Sequence, residues 1–140
     1  MDKKFLLDTS AIFAFTKAES GCDAVEDILV RGQKGKQNIY LSFISFAELY
    51  YITWKEKGEH AAKELMVLIK SLPLQIVESN ERLTLLAGRL KAKHPLSLAD
   101  AFIAATAIDK NAVLIHKDPE LQIISQYTET LELPFKKNKI

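Results

Sequence analysis

Short, wholly apolar runs alternate along this chain with longer stretches in which apolar residues recur at helical spacing. Phe5-Leu6-Leu7, Ile39-Tyr40-Leu41-Ser42, Leu74 to Val77 and Ala112-Val113-Leu114-Ile115 are rich in strand formers and bounded by turn residues, which predicts buried strands. Helical patterning covers Ala11 to Phe15, Asp23 to Arg31, Ser45 to Lys57, Glu59 to Ser71, Asn80 to Lys93 and Ala101 to Asp109. The breakers fall between these segments. Gly32 and Gly35 precede Ile39, Gly58 follows Lys57, Pro73 ends the fourth helical stretch and His94-Pro95 ends the fifth. Asp118-Pro119 predicts a further helix start with proline at its first position, and Thr130 to Leu133 a last edge strand. Lys136 to Ile140 reads as a short, basic, frayed tail.

Strand and helix alternate throughout, with no repeat, low-complexity tract or linker. The pattern therefore predicts an α/β fold: a three-layer α/β/α sandwich around a central, mainly parallel sheet of four or five strands. One domain over residues 1–140 is expected, and a hydrophobic content of 48% suffices for its core.

Charge and cysteine narrow the classes. A net charge of +1 excludes a strongly basic nucleic-acid coat, so any nucleic-acid contact must be local; Lys34, Lys36, Lys91 and Lys93 are candidates. Cys22 is the only cysteine, which rules out an intrachain disulfide and a Cys-rich zinc site and fits a reducing cytoplasm. Asp8-Thr9-Ser10 cuts the first apolar run too early for a signal peptide, and no later run has the ~20 apolar residues of a membrane span.

Four acids stand where an apolar run stops or a helix signal starts: Asp8, Glu48, Asp100 and Asp118. Each has a structural explanation of its own. Asp8 and Asp118 suit helix caps, and Glu48 and Asp100 close the capping-box spacings that begin at Ser45 and Ser97. In a parallel sheet, however, residues just beyond the carboxyl ends of the strands meet at one edge. Four acids at four such junctions would then share a site. Clustered carboxylates repel one another unless a cation lies among them, and hard oxygen donors favour Mg²⁺ or Mn²⁺.

Thr9, Ser10, Ser45 and Ser97 read first as caps, with Thr9 and Ser97 the best candidates for hydroxyls that orient a metal-bound water. His60, His94 and His116 form no motif, and only His116 falls near the proposed site. Phe46, Tyr50 and Trp54 recur at helical spacing, which usually means core; on a helical wheel they lie roughly opposite Glu48, so part of the stripe would be exposed and suited to a protein partner.

Phe5-Leu6-Leu7-Asp8-Thr9-Ser10-Ala11, Ile44-Ser45-Phe46-Ala47-Glu48-Leu49, Leu96 to Ala107 and Val113-Leu114-Ile115-His116-Lys117-Asp118 are the stretches by which the chain resembles the PIN-domain family of metal-dependent ribonucleases, especially the small toxins of VapBC-type toxin-antitoxin pairs. The Leu96–Ala107 stretch is the most specific, and the resemblance spans nearly the whole chain. It implies Asp8, Glu48, Asp100 and Asp118 as metal ligands and catalytic acids, with Thr9 and Ser97 in support. His116 departs from the family, which often has threonine or serine there. The departure bears on the positioning of metal or water but removes no acid.

The expected activity is hydrolysis of RNA phosphodiesters by a Mg²⁺- or Mn²⁺-activated water. The resemblance adds a translation-blocking toxin, a small antitoxin partner and a homodimer. The alternatives are a catalytically inactive PIN-fold RNA-binding or scaffold protein, whose mark would be a missing acid, and a structure-specific DNA nuclease, for whose gripping elements the chain has little room. An aspartyl-nucleophile phosphatase is disfavoured by Thr9-Ser10 after Asp8, and a dinucleotide enzyme by the lack of a Gly-rich phosphate turn.

Overall fold

The computed structural model describes residues 3–134, so the tail predicted at Lys136 to Ile140 lies outside the described residues. Strands β1 (Lys3–Leu7), β2 (Gln37–Ser42), β3 (Gln75–Val77), β4 (Val113–His116) and β5 (Thr130–Glu132) form one sheet in the order β3-β2-β1-β4-β5, and all neighbours pair in parallel. The helices are α1 (Thr9–Thr16), α2 (Cys22–Gln33), α3 (Phe43–Lys57), α4 (Glu59–Ser71), α5 (Glu81–Lys93) and α6 (Leu98–Lys110), with a 3₁₀ segment at Pro119–Gln126. The expected α/β/α sandwich is thus present, with five strands.

Alternation along the strands sorts the core into two halves, because successive side chains point to opposite faces. Phe5, Leu7, Ile39, Leu41, Val113 and Ile115 pack with Ile12, Val25, Ile28, Leu49 and Ile69 of α1 to α4. Leu6 and Leu114 face the other way, onto α5, α6 and the 3₁₀ segment. On α6, Ala101, Ala104, Ala105 and Ala107 are all buried, and their small side chains let the helix lie close against the sheet.

This topology decides which ends meet. From central β1 the chain steps outward to β2 on one side, and β4 later adds on the other, so the strand order reverses between β1 and β4. Parallel α/β sheets bind ligands outside the carboxyl ends at such a point. α3 follows β2 with no loop, which sets its N-terminus on that edge. α6 runs back to the amino end of β4, so its N-terminus lies on the same edge.

One local expectation fails. The capping box read at Ser45 is not the start of α3: the helix begins at Phe43, and the Ser42 hydroxyl caps it by accepting from the Ile44 amide at 3.2 Å. β2 stays paired with β3 through Ser42, so strand passes directly into helix, Ser45 is buried and Glu48 sits in the second turn. Gln37, Ser45 and His116 carry the buried side-chain polar atoms without a hydrogen-bond partner among the described residues.

Leu114 is fully buried on the α6 face of β4. Leu114→Ala should destabilise the fold by about 3 kcal/mol. The change should appear as a lower urea midpoint at unchanged m-value.

Candidate functional site

Asp8 is the first residue past β1, and its extended backbone (φ −80°, ψ 177°) lets the carboxylate cap α1. Oδ1 accepts from the Ala11 amide at 2.7 Å, and the Ser10 hydroxyl donates to the two carboxylate oxygens at 2.7 and 2.9 Å. The residue is only 4% exposed. Burial raises its pKa to about 7; the bonds from Ser10 and Ala11 oppose the rise, and the charges of Asp100 and Asp118 add to it.

Asp100 stands in the first turn of α6, where its amide donates to the hydroxyl of the N-cap Ser97 at 3.1 Å. Its carboxyl is half-buried, and its pKa is raised to about 6, first by desolvation, then by Asp118, Glu48 and Glu120. Asp118 caps the 3₁₀ segment, accepting from the Glu120 amide at 2.9 Å. Glu48 reaches the group from one turn deeper in its helix, where Oε1 accepts from the Thr9 hydroxyl at 2.7 Å.

The structure therefore gathers all four acids on the carboxyl edge. Asp8 lies within reach of the charges of Asp100 and Asp118, Asp100 within reach of those of Asp118 and Glu48, and Thr9 ties Glu48 to the residue beside Asp8. Three of the four lie at a helix N-terminus, whose partial positive charge offsets some of the repulsion. Glu48 does not, because α3 starts at Phe43, two residues before the Ser45 at which the capping box was read. Among the described residues, no three acidic, histidine or cysteine side chains are already drawn together as a metal-holding group. Two of the carboxylates are instead turned to their capping bonds and one to Thr9.

The hydroxyls divide differently from the sequence reading. Thr9 supports Glu48 as a side-chain partner, whereas Ser97 acts on Asp100 by capping its helix and by favouring the charged carboxylate. Ser10, read only as a cap, is the link between two corners: while donating to Asp8 it accepts from the Lys117 amide at 3.1 Å, so it joins the β1–α1 turn to the segment carrying Asp118. Glu120 is an acid the sequence reading missed, and its only signal was its place just after Asp118-Pro119.

His116 is fully enclosed with neither ring nitrogen bonded, and burial lowers its pKa against the charge of Glu132 and the proximity of Asp118 and Gln122, which favour the proton. It stands under the site as a neutral ring. Lys117 turns away, donating from Nζ to the Ser20 carbonyl at 2.9 Å. Lys34 and Lys36 lie in the turn between α2 and β2, at the opposite edge of the sheet, and Lys91 donates to the Leu96 carbonyl at 3.0 Å.

With this geometry in hand, comparison places the chain. A family profile described as the PIN domain matches residues 5–126. Among solved structures, VapBC2 from Rickettsia felis bound to a DNA fragment from their promoter is similar at 22% identity and a TM-score of 0.75, covering 94% of this chain and 99% of that one. DNA-bound VapBC from Salmonella typhimurium is similar at 19% identity and a TM-score of 0.74, covering 94% and 98%. VapC20 from Mycobacterium tuberculosis, a sarcin-ricin loop cleaving toxin, is similar at 17% identity and a TM-score of 0.63, covering 79% and 86%. At these identities the likeness is one of fold. Comparison with curated protein sequences gives no significant match.

Two outcomes are expected. Asp8 and Asp100 bind protons more tightly folded than unfolded, so their contribution to stability is full below about pH 4 and is lost as pH rises through about 6 to 7. Metal-free protein should therefore melt lower at pH 8 than at pH 5, and added Mg²⁺ should shrink the difference. Second, Ser10→Ala should cost about 1 kcal/mol and raise the Asp8 pKa further, because a bond to the charged carboxylate is lost. Carboxyl NMR titration reads that shift, and Ser10→Thr should restore it.

Proposed function

The chain belongs to the PIN-domain family, and on that premise we propose that it is a single-domain, Mg²⁺- or Mn²⁺-dependent endoribonuclease acting as the toxin of a VapBC-type pair in the cytoplasm. The observation that carries the reading is the convergence of Asp8, Glu48, Asp100 and Asp118, from distant parts of the chain, at the point where the strand order reverses. Burial first, and their mutual repulsion after it, raises the pKa of Asp8 and Asp100, and a cation bound among them would offset both. The donors are carboxylate oxygens, which suit Mg²⁺ or Mn²⁺ better than zinc.

Asp8, Glu48, Asp100 and Asp118 would hold the cation. Once bound, it would supply Lewis acidity for hydrolysis of the phosphodiester and neutralise charge developing on the phosphoryl oxygens. The chain's own groups do the positioning. Ser10 holds Asp8 against Asp118's segment, Thr9 holds Glu48, and the Ser97 cap aims the first turn of α6. Asp100, only half-buried, keeps the edge open to water and substrate.

An antitoxin partner is supported by the VapBC complexes among the similar folds. The surface that suits it is the α3–α4 hairpin. Phe46 packs against the core, Tyr50 and Trp54 stack edge to face at 5.5 Å, and Trp54 remains 41% exposed; Tyr51 of the same helix and Val67 and Leu68 of α4 are exposed as well. The aromatic stripe thus runs from core to surface, and its outer end is the anchor proposed for the antitoxin. A homodimer belongs to the same reading.

Asp8→Asn should abolish RNA cleavage by at least about a hundredfold while leaving the metal-free protein as stable at pH 8 as wild type or more so, since a crowded charge is removed. Saturating Mg²⁺ should stabilise wild type by about 2 to 3 kcal/mol and the variant by less. Clear destabilisation of the metal-free variant would instead make Asp8 chiefly a helix cap. Trp54→Ala should weaken antitoxin binding about tenfold or more, measured by titration calorimetry, with the melting temperature nearly unchanged.

A further inference from the structure

The parallel sheet sorts charge by edge. Its carboxyl edge collects Asp8, Glu48, Asp100 and Asp118, whereas its amino edge collects lysines. Lys3 and Lys4 open β1, where they stand in register with Gln37 and Asn38 of β2, so Lys36 enters the neighbouring strand beside them. Lys34 closes α2 just before, Lys110 ends α6 ahead of β4, and Lys70 lies in the last turn of α4 ahead of β3. None of these lysines pairs with a carboxylate among the described residues.

Helix dipoles explain part of this gathering. Lys34, Lys70 and Lys110 stand at helix C-termini, where a cation offsets the partial negative charge. Lys3, Lys4 and Lys36 have no such role, and all three are exposed. They sit on adjacent strands about 4.8 Å apart, which concentrates positive charge on a chain whose net charge is only +1.

Two clefts border these lysines. One, of about 540 Å³, is lined by Lys3, Lys4, Asn111, Thr128 and Glu129; the other, of about 370 Å³, by Gln37, Asn38 and Gln75 together with Ile39, Leu72 and Leu74. Glu129 is the one carboxylate in either lining. The one aromatic ring, Tyr40, packs against the core and carries Lys110 Nζ 5.3 Å from its centre, so neither cleft offers a free ring for a base to stack on. Lysines set among amide and hydroxyl side chains suit phosphate and sugar oxygens instead.

We infer that the amino edge is an exosite that holds the phosphate backbone of the RNA at a distance from the bond that is cut. The inference rests on the nuclease reading and adds where the rest of the substrate is held. From Lys4 along β1 to Asp8 is about 13 Å, so one phosphate cannot serve both edges. The exosite therefore raises affinity for long RNA without touching the reacting group, and it reads no sequence. Without metal the carboxyl edge repels a polyanion, so binding in EDTA reports on the lysines.

The test measures anisotropy of long labelled oligouridylate and oligoadenylate on the full chain in EDTA, at several salt concentrations. Combined Lys3→Gln, Lys4→Gln and Lys36→Gln should weaken binding of both RNAs about tenfold and lower the salt slope by about 2, three contacts at about 0.7 each. Combined Lys55→Gln, Lys57→Gln and Lys63→Gln, which removes the same charge from α3 and α4, should stay within about twofold of wild type. With Mg²⁺ or Mn²⁺ the amino-edge variant should show KM raised about tenfold on long RNA at unchanged kcat, a split that damage to the acids would not give. The inference fails if the amino-edge variant binds within about twofold of wild type, if the α3 and α4 variant loses as much, or if wild type prefers one RNA by more than about tenfold. Should the amino-edge variant not fold, acetylation of wild type decides: RNA that shields Lys3, Lys4 and Lys36 supports the exosite, and shielding confined to other lysines overturns it. RNA held at the amino edge yet cleaved with neither metal would remove the nuclease reading alone. Cleavage by the variant at wild-type KM would remove the exosite alone.

Discussion

A carboxylate stripped of water costs several kcal/mol unless charge or hydrogen bonds replace the solvent, and Asp8 is such a group. Much of the surrounding architecture supplies the replacement. The N-terminus of α1 offers an amide and a partial positive charge, and Ser10 offers a hydroxyl. These do not suffice, since the pKa still stands near 7 with Asp100 and Asp118 adjacent. The metal-free site is thus held in an electrostatically unfavourable state by the rest of the fold.

What permits that gathering is the rigidity of the sheet beneath it. β1 is central, paired with β2 and β4 and buried on both faces, so Asp8 leaves a strand that has little freedom to shift. The β4 segment is tied in twice more, by the Lys117 amide to Ser10 and by the Lys117 ammonium to the Ser20 carbonyl. Enclosed beneath, His116 is buried, and burial disfavours its charged form. A protonated imidazolium there would lack solvent on all sides.

The two helical layers divide the remaining work. The α1–α4 layer carries the Glu48 helix and, on its outer surface, the exposed end of the aromatic stripe. The α5–α6 layer carries Asp100 and the acid-free basic stretch before it.

Most of the elements were legible in the sequence, because apolar runs and breakers are local signals. Strand and helix alternation required a parallel, layered sheet, and position alone marked Asp8, Glu48, Asp100 and Asp118. Other features depend on pairings between distant residues. The cap of α3 shifted from Ser45 to Ser42 because β3 pairs with the end of β2, and nothing near Ser45 signals that partner. Ser10 became a link rather than a simple cap because the Lys117 amide, far along the chain, lies against it. Composition and periodicity report what each residue prefers, but which groups share the low-dielectric edge, and so which pKa values move, is decided only when the strands take their order.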